Sequence, residues 1–103
     1  MGKSYEELLK ESIGFGFIYE EEDSFYNLHL SGATPPYEKL DPEDLHMTEL
    51  FYFDEMESAE AYLYETKKHN PEFREFLDEL VVAPIPHRFV ESGFFEPILK
   101  FDW

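Results

Sequence analysis

Four acids stand in a row at Glu20, Glu21, Glu22 and Asp23, and a second acidic stretch, DPED, holds Asp41, Glu43 and Asp44. Clustered carboxylates suit two kinds of chemistry: holding a cation, or moving a proton where burial raises the pKa of one of them. A calcium loop needs oxygens at set spacings and a glycine at its sharp turn. In the stretch that begins at Asp41 the glycine position is His46, and Pro42 stiffens the start, so the template fails. Four adjacent acids on one turn cannot all point at one ion, and no dedicated metal site is expected. On expected strands the candidates for acid–base work are Glu49 and Glu91, both on solvent faces. His29, His46, His69 and His87 are scattered, with no His-Glu-x-x-His pair. There is no nucleophile elbow and no phosphate loop. The chain has no cysteine, which excludes a thiolate nucleophile, a disulfide scaffold and a Cys-ligated metal. Neither a catalytic residue nor a cofactor is expected.

What does stand out is charge. Twenty-four acids against eight bases give −16 over 103 residues. The excess is uneven: residues 1–66 carry 17 acids and 3 bases, and residues 67–103 carry 7 and 5. A field of this sign repels nucleic acid and anionic lipid and attracts basic surfaces. The one basic cluster, Lys67-Lys68-His69, falls at the end of an expected helix, where cations offset the macrodipole. Aromatic residues make up 18% of the chain, more than a core of this size requires. They interleave with the acids, as in YEEEDSFY (Tyr19–Tyr26), Tyr37-Glu38, Phe53-Asp54-Glu55 and Tyr62-Leu-Tyr-Glu65.

The elements that must position these groups follow from periodicity. One domain is expected from the length. Ser4 and Glu7 have capping-box spacing before a short helix over 5–12. Phe15, Phe17 and Tyr19 alternate with Gly16 and Ile18, and Tyr26, Leu28 and Leu30 alternate with Asn27 and His29, which predicts two strands joined through the acidic run. Gly14 and Gly16 on the first strand suggest a close backbone approach. Residues 32–47 read as a long loop with a helical turn after Asp41-Pro42. Leu50–Phe53 predicts a strand. Asp54 is the expected cap of a helix that reaches His69, with Met56, Ala59 and Leu63 on its buried side and Glu57 in its first turn. Asn70-Pro71 restarts a helix to about Val82, carrying Phe73, Phe76, Leu77 and Leu80 as its apolar stripe, and Pro84 and Pro86 stop it. Phe89-Val90 and Ile98–Phe101 predict the last strands. The expected class is α+β: a small antiparallel sheet with helices packed on one face, in the order α-β-β-(loop)-β-α-α-β-β.

Leu50 to Val90, with ELFYFDEMESAEAYLYE followed by HNPEFREFLDEL and a later strand, resembles in its strand-helix-strand rhythm the second half of small ferredoxin-like α+β barrel proteins, the antibiotic-biosynthesis monooxygenases among them. The resemblance implies an alternative function, a barrel enzyme or small-ligand binder. It transfers no functional residue, and the chain opens on a helix where those proteins open on a strand.

Carboxylates flanked by Tyr and Phe suit an interface that holds Arg and Lys through charge-assisted pairs and cation–π contact. The leading expectation is therefore an acidic inhibitor that occupies the basic, nucleic-acid-binding surface of a partner protein. Its binding face is expected to draw on Glu20, Glu21, Glu22, Asp23, Tyr26, Tyr37, Asp41, Glu43, Asp44, Glu49, Asp54, Glu55 and Glu57. Direct nucleic-acid binding and membrane insertion are not expected, a homodimer is compatible with the sequence, and the expected location is the cytoplasm.

Overall fold

A four-stranded antiparallel sheet divides the protein into two cores. The computed structural model describes residues 5–41, 48–91 and 93–100. Helix α1 (Tyr5–Lys10) leads into β1 (Ser12–Tyr19), which turns through the acidic run into β2 (Ser24–Leu28). Strands β3 (Tyr37–Lys39) and β4 (Thr48–Tyr52) follow, then the long helix α2 (Met56–His69). A 3-10 turn over Pro71–Phe73, the one-turn helix α3 (Arg74–Leu77), β5 (Leu80–Pro86), α4 (His87–Glu91) and β6 (Phe95–Leu99) complete the order. The sheet runs β3-β2-β1-β5, and β4 and β6 form a separate two-stranded parallel sheet.

Alternation along β1 and β2 sends successive side chains to opposite faces. On one face Phe17, Tyr26 and Leu28 meet Ala59 and Leu63 of α2, Leu77 of α3, Leu80 and Phe53. On the other Phe25 and Ile85 meet Leu40, Leu50 and Phe95, with Phe89 and Val90 of α4 packed alongside. Covering both faces explains why Phe25, Tyr26, Asn27 and Leu28 are all buried. Each large apolar side chain so buried contributes about 1.5–3 kcal/mol. The class is α+β, with α2 and α3 on one face as the periodicity predicts. The second small sheet covers the opposite face, and nothing in the sequence pattern signals it.

The two sheets touch where Phe15 and Phe53 exchange backbone hydrogen bonds of 2.8 and 2.9 Å. A Cβ on Gly14 would lie 2.6 Å from the Phe53 carbonyl oxygen, and one on Gly16 would lie 2.5 Å from the Ile85 Cδ1. Gly14 thus allows the close backbone approach expected of it, whereas Gly16 makes room for the Ile85 side chain.

Four local expectations are corrected. The second helical stretch ends at Leu77, and Leu80–Pro86 is a strand rather than a helix end. Pairing with β1 over the whole of β5 overrides the helical spacing of Phe73, Phe76, Leu77 and Leu80. Pro84 and Pro86 are tolerated because β5 is an edge strand, where a missing N–H interrupts no ladder on its outer side. Phe89-Val90 lies in α4, its Phe89 ring stacked on Phe95 at 4.7 Å, instead of in a strand. Tyr37–Lys39, within the expected loop, pairs with β2. The N-cap of α2 is Glu55, without a side-chain cap hydrogen bond, rather than Asp54. The capping residue Ser4, the helical turn after Pro42 and the terminal Phe101 lie outside the described residues.

Candidate functional site

The hairpin places the acidic run at the end of β1 and β2, where Tyr19 pairs with Ser24 and Glu20–Asp23 form the connecting loop. All four acids are exposed. Two turn bonds, Glu22 N–H to the Tyr19 carbonyl and Asp23 N–H to the Glu20 carbonyl, both 3.2 Å, close the loop. Asp23 takes the left-handed conformation, φ 53°, which Asp tolerates better than most residues.

The loop is anchored by two tyrosines. The Tyr19 hydroxyl donates to Glu21 Oε2 at 2.7 Å, and the Tyr26 hydroxyl donates to Glu22 Oε1 at 2.8 Å. The bond to Glu21, reinforced by desolvation and by the charges of Glu21, Glu79 and Glu22, pushes the Tyr19 pKa up to about 12. Burial, with the bond to Glu22, pushes Tyr26 up to about 12 as well. Both phenols are thereby held neutral, as donors to carboxylates.

Under this loop lies a cluster of rings. Phe76 has Tyr37 at 4.3 Å, Tyr26 at 5.2 Å and Tyr19 at 5.4 Å between centroids, and Phe73 sits 5.9 Å from Tyr37. Edge-to-face and tilted geometries predominate, the arrangement favoured by ring quadrupoles. Phe73, Phe76 and Tyr19 are only half-buried. Their outer sides floor an open groove of about 450 Å³, rimmed by Glu21, Glu72, Glu75 and Glu79. The last three come from the 3-10 turn, from α3 and from the turn that follows it.

No base among the described residues pairs with that rim. Arg74 and Lys67 both pair with Asp78, at 3.8 and 3.0 Å, and Lys68 pairs with Glu65. Among the described residues Glu72, Glu75 and Glu79 have no cationic partner. Like charges gathered around one groove repel each other, so the rim is maintained against a local penalty. Glu22, on the other flank of the loop, has Lys39 at 3.8 Å.

The expected binding residues therefore separate. Glu20–Asp23, Tyr26 and Tyr37 come together, with Tyr26 in the core and only its hydroxyl reaching the loop. Asp54, Glu55 and Glu57 are exposed at the start of α2. That end follows Phe53, which is bridged to Phe15 midway along β1, whereas Lys67 near the other end pairs with Asp78 beside the groove. Acids in a first helical turn also suit the helix dipole. Glu49 borders a different hollow, of about 290 Å³, with Asn27, His29, Glu38, Thr48 and Phe51. His29 Nε2 is 3.8 Å from Glu38 there. Nearby, Lys100 Nζ lies 3.6 Å from the Phe51 ring centroid; burial draws its pKa below the usual lysine value, against the opposing charge of Glu49. Asp41 is half-buried after β3, and Glu43 and Asp44 lie outside the described residues. No set of three or more His, Asp or Glu among the described residues is arranged to hold a metal ion.

Sequence reasoning missed Tyr19, Glu72, Phe73, Glu75, Phe76 and Glu79 as site residues. The signal was present: acids at 72, 75 and 79 interleave with rings at 73 and 76. The near balance of charge over residues 67–103 concealed it, because three of the five bases there, Lys67, Lys68 and Arg74, pair with Asp78 and Glu65 instead.

Comparison with known proteins yields no match to a family model, a curated protein or a solved structure. No helix among the described residues is long and apolar enough to cross a membrane.

Proposed function

We propose that this protein is an acidic inhibitor that covers the basic, nucleic-acid-binding surface of a partner protein, in the manner of anti-restriction, anti-CRISPR or immunity proteins, and acts in the cytoplasm. The observation that carries the proposal is the union of two acidic segments distant in sequence, the 20–23 loop and the 72–79 turn, around one cluster of half-buried rings. A solubilising surface needs charge but no such floor. Long-range attraction from a −16 chain speeds encounter with a basic groove, and aromatic contacts slow release.

The test is capture of partners at low salt with stepwise salt elution, followed by competition with labelled nucleic acid on the captured protein. Displacement that fades as salt rises is expected, since charge neutralisation drives both interactions. A stable ternary complex of partner, nucleic acid and this protein would overturn the proposal.

A further inference from the structure

We propose that the groove floored by Tyr19, Phe73 and Phe76 is the seat of a single arginine side chain projected by the partner. The inference rests on the reading of this protein as a binder of basic surfaces, and it names the contact by which it binds. Three observations support it. The groove is lined by three half-buried rings that pack against Tyr26 and Tyr37, which holds them in place for a cation. The rim carries carboxylates on opposing walls, Glu21 from the hairpin and Glu72, Glu75 and Glu79 from the turn before β5. The two bases of that turn region, Lys67 and Arg74, are held on Asp78 rather than in the groove.

A planar guanidinium meets both demands at once. It stacks on a ring face through cation–π attraction while its fork of N–H groups donates to carboxylates at the edges. An ammonium is a compact, strongly hydrated charge and satisfies the rim better than the floor. An apolar side chain satisfies the floor and leaves the rim desolvated. A divalent ion needs converging oxygens at short range, and no three carboxylates among the described residues are so arranged. The hydroxyl bond from Tyr19 fixes Glu21 beforehand, so less side-chain freedom is lost when the cation arrives.

The experiment uses the full chain and titrates N-acetyl-arginine amide, following the aromatic NMR signals of Tyr19, Phe73 and Phe76. Parallel titrations use N-acetyl-lysine amide, N-acetyl-glutamine amide and magnesium chloride. Saturable shifts confined to the groove are expected with the arginine derivative, weaker ones with lysine and none with glutamine. Phe73→Leu, which keeps an apolar contact but removes the ring, should weaken binding about two- to fivefold. Glu75→Gln with Glu79→Gln should weaken it by at least as much. Glu60→Gln, on the exposed side of α2, should leave it unchanged. Equal shifts from lysine and arginine, a stronger response to magnesium, shifts spread over every acidic segment, or full binding by Phe73→Leu would each overturn the inference. Because the probe is one amino-acid derivative, a groove that binds arginine while the captured partner fails to bind nucleic acid sinks the mimicry reading alone. A groove that ignores arginine while the protein still displaces nucleic acid sinks this inference alone.

Discussion

The side-chain Oδ1 of Asn27 accepts the backbone N–H of Phe51 at 3.0 Å, and its Nδ2 donates to the Glu49 carbonyl. One amide side chain on β2 thus substitutes for a neighbouring strand along the edge of β4 that faces away from β6. Asn27 is 1% exposed, so both backbone groups depend on it. Asn27→Leu keeps the branching at Cγ and removes both partners. It should destabilise by roughly 2–4 kcal/mol, the cost of two backbone polar groups left without bonds. Chemical denaturation checks this; a loss under about 1 kcal/mol would mean that water takes over both bonds.

The two strand glycines should differ. At Gly14 an added methyl meets the Phe53 carbonyl oxygen and the Tyr52 ring, both at 2.6 Å, and backbone cannot yield without opening the Phe15–Phe53 bridge. At Gly16 it meets the end of the Ile85 side chain, which can change rotamer. Gly14→Ala should cost about 3 kcal/mol and Gly16→Ala about 1–2 kcal/mol. Thermal unfolding of the two variants side by side gives the order, and the reverse order would contradict the close contact between sheets.

These pairs also show where sequence reading reaches and where it stops. The hairpin was legible because alternation over Phe15–Tyr19 and Tyr26–Leu30 is a local signal with a turn between. The long helix was legible from Ala59 and Leu63, whereas Met56, expected in the same buried stripe, is exposed. Strand β5 was not, since Phe73, Phe76, Leu77 and Leu80 have helical spacing and only pairing with β1 decides where the helix ends. The parallel β4–β6 pair was hidden because its partners are separated by more than forty residues and share no local pattern. Of the groove only Glu21 was legible, as part of the acidic run. The rest required knowing that Tyr19 lies opposite Leu80, which brings the 72–79 turn beside the loop.

Neutralising the loop tests whether its charge acts at a distance. In the variant with Glu20, Glu21 and Glu22 changed to Gln and Asp23 to Asn, the tyrosine hydroxyls keep acceptors and residue 23 keeps a side chain suited to positive φ. The fold should persist, more stable by about 0.5 kcal/mol as repulsion falls. Association with a captured basic partner should slow by about tenfold at low salt, with dissociation much less affected. Stopped-flow kinetics separates the two rates. An unchanged association rate would reduce the loop to a solvated turn.

The two tyrosine–carboxylate bonds give the protein an alkaline signature. Tyr19 and Tyr26 are both raised from 10.0 to about 12 in the folded protein, Tyr19 chiefly by its bond to Glu21 and Tyr26 chiefly by burial. A group that holds its proton more tightly when folded contributes stability that is complete below its unfolded pKa and is lost as pH rises through the folded one. The window is therefore pH 10 to 12, and stability should fall across it as each phenol gives up its proton beside a carboxylate. Tyr19→Phe and Tyr26→Phe remove the donor. Each variant should be less stable than the parent near pH 8 and should lose less of its remaining stability on going to about pH 11. Tyrosinate absorbance offers an independent reading on the folded chain: Tyr19 and Tyr26, with Tyr62 raised by its own burial, should titrate above the ordinary tyrosine value of 10.0. If Tyr19 and Tyr26 instead ionise near pH 10 while the fold is intact, Glu21 and Glu22 are not held by these hydroxyls, and the groove loses the wall that Glu21 provides.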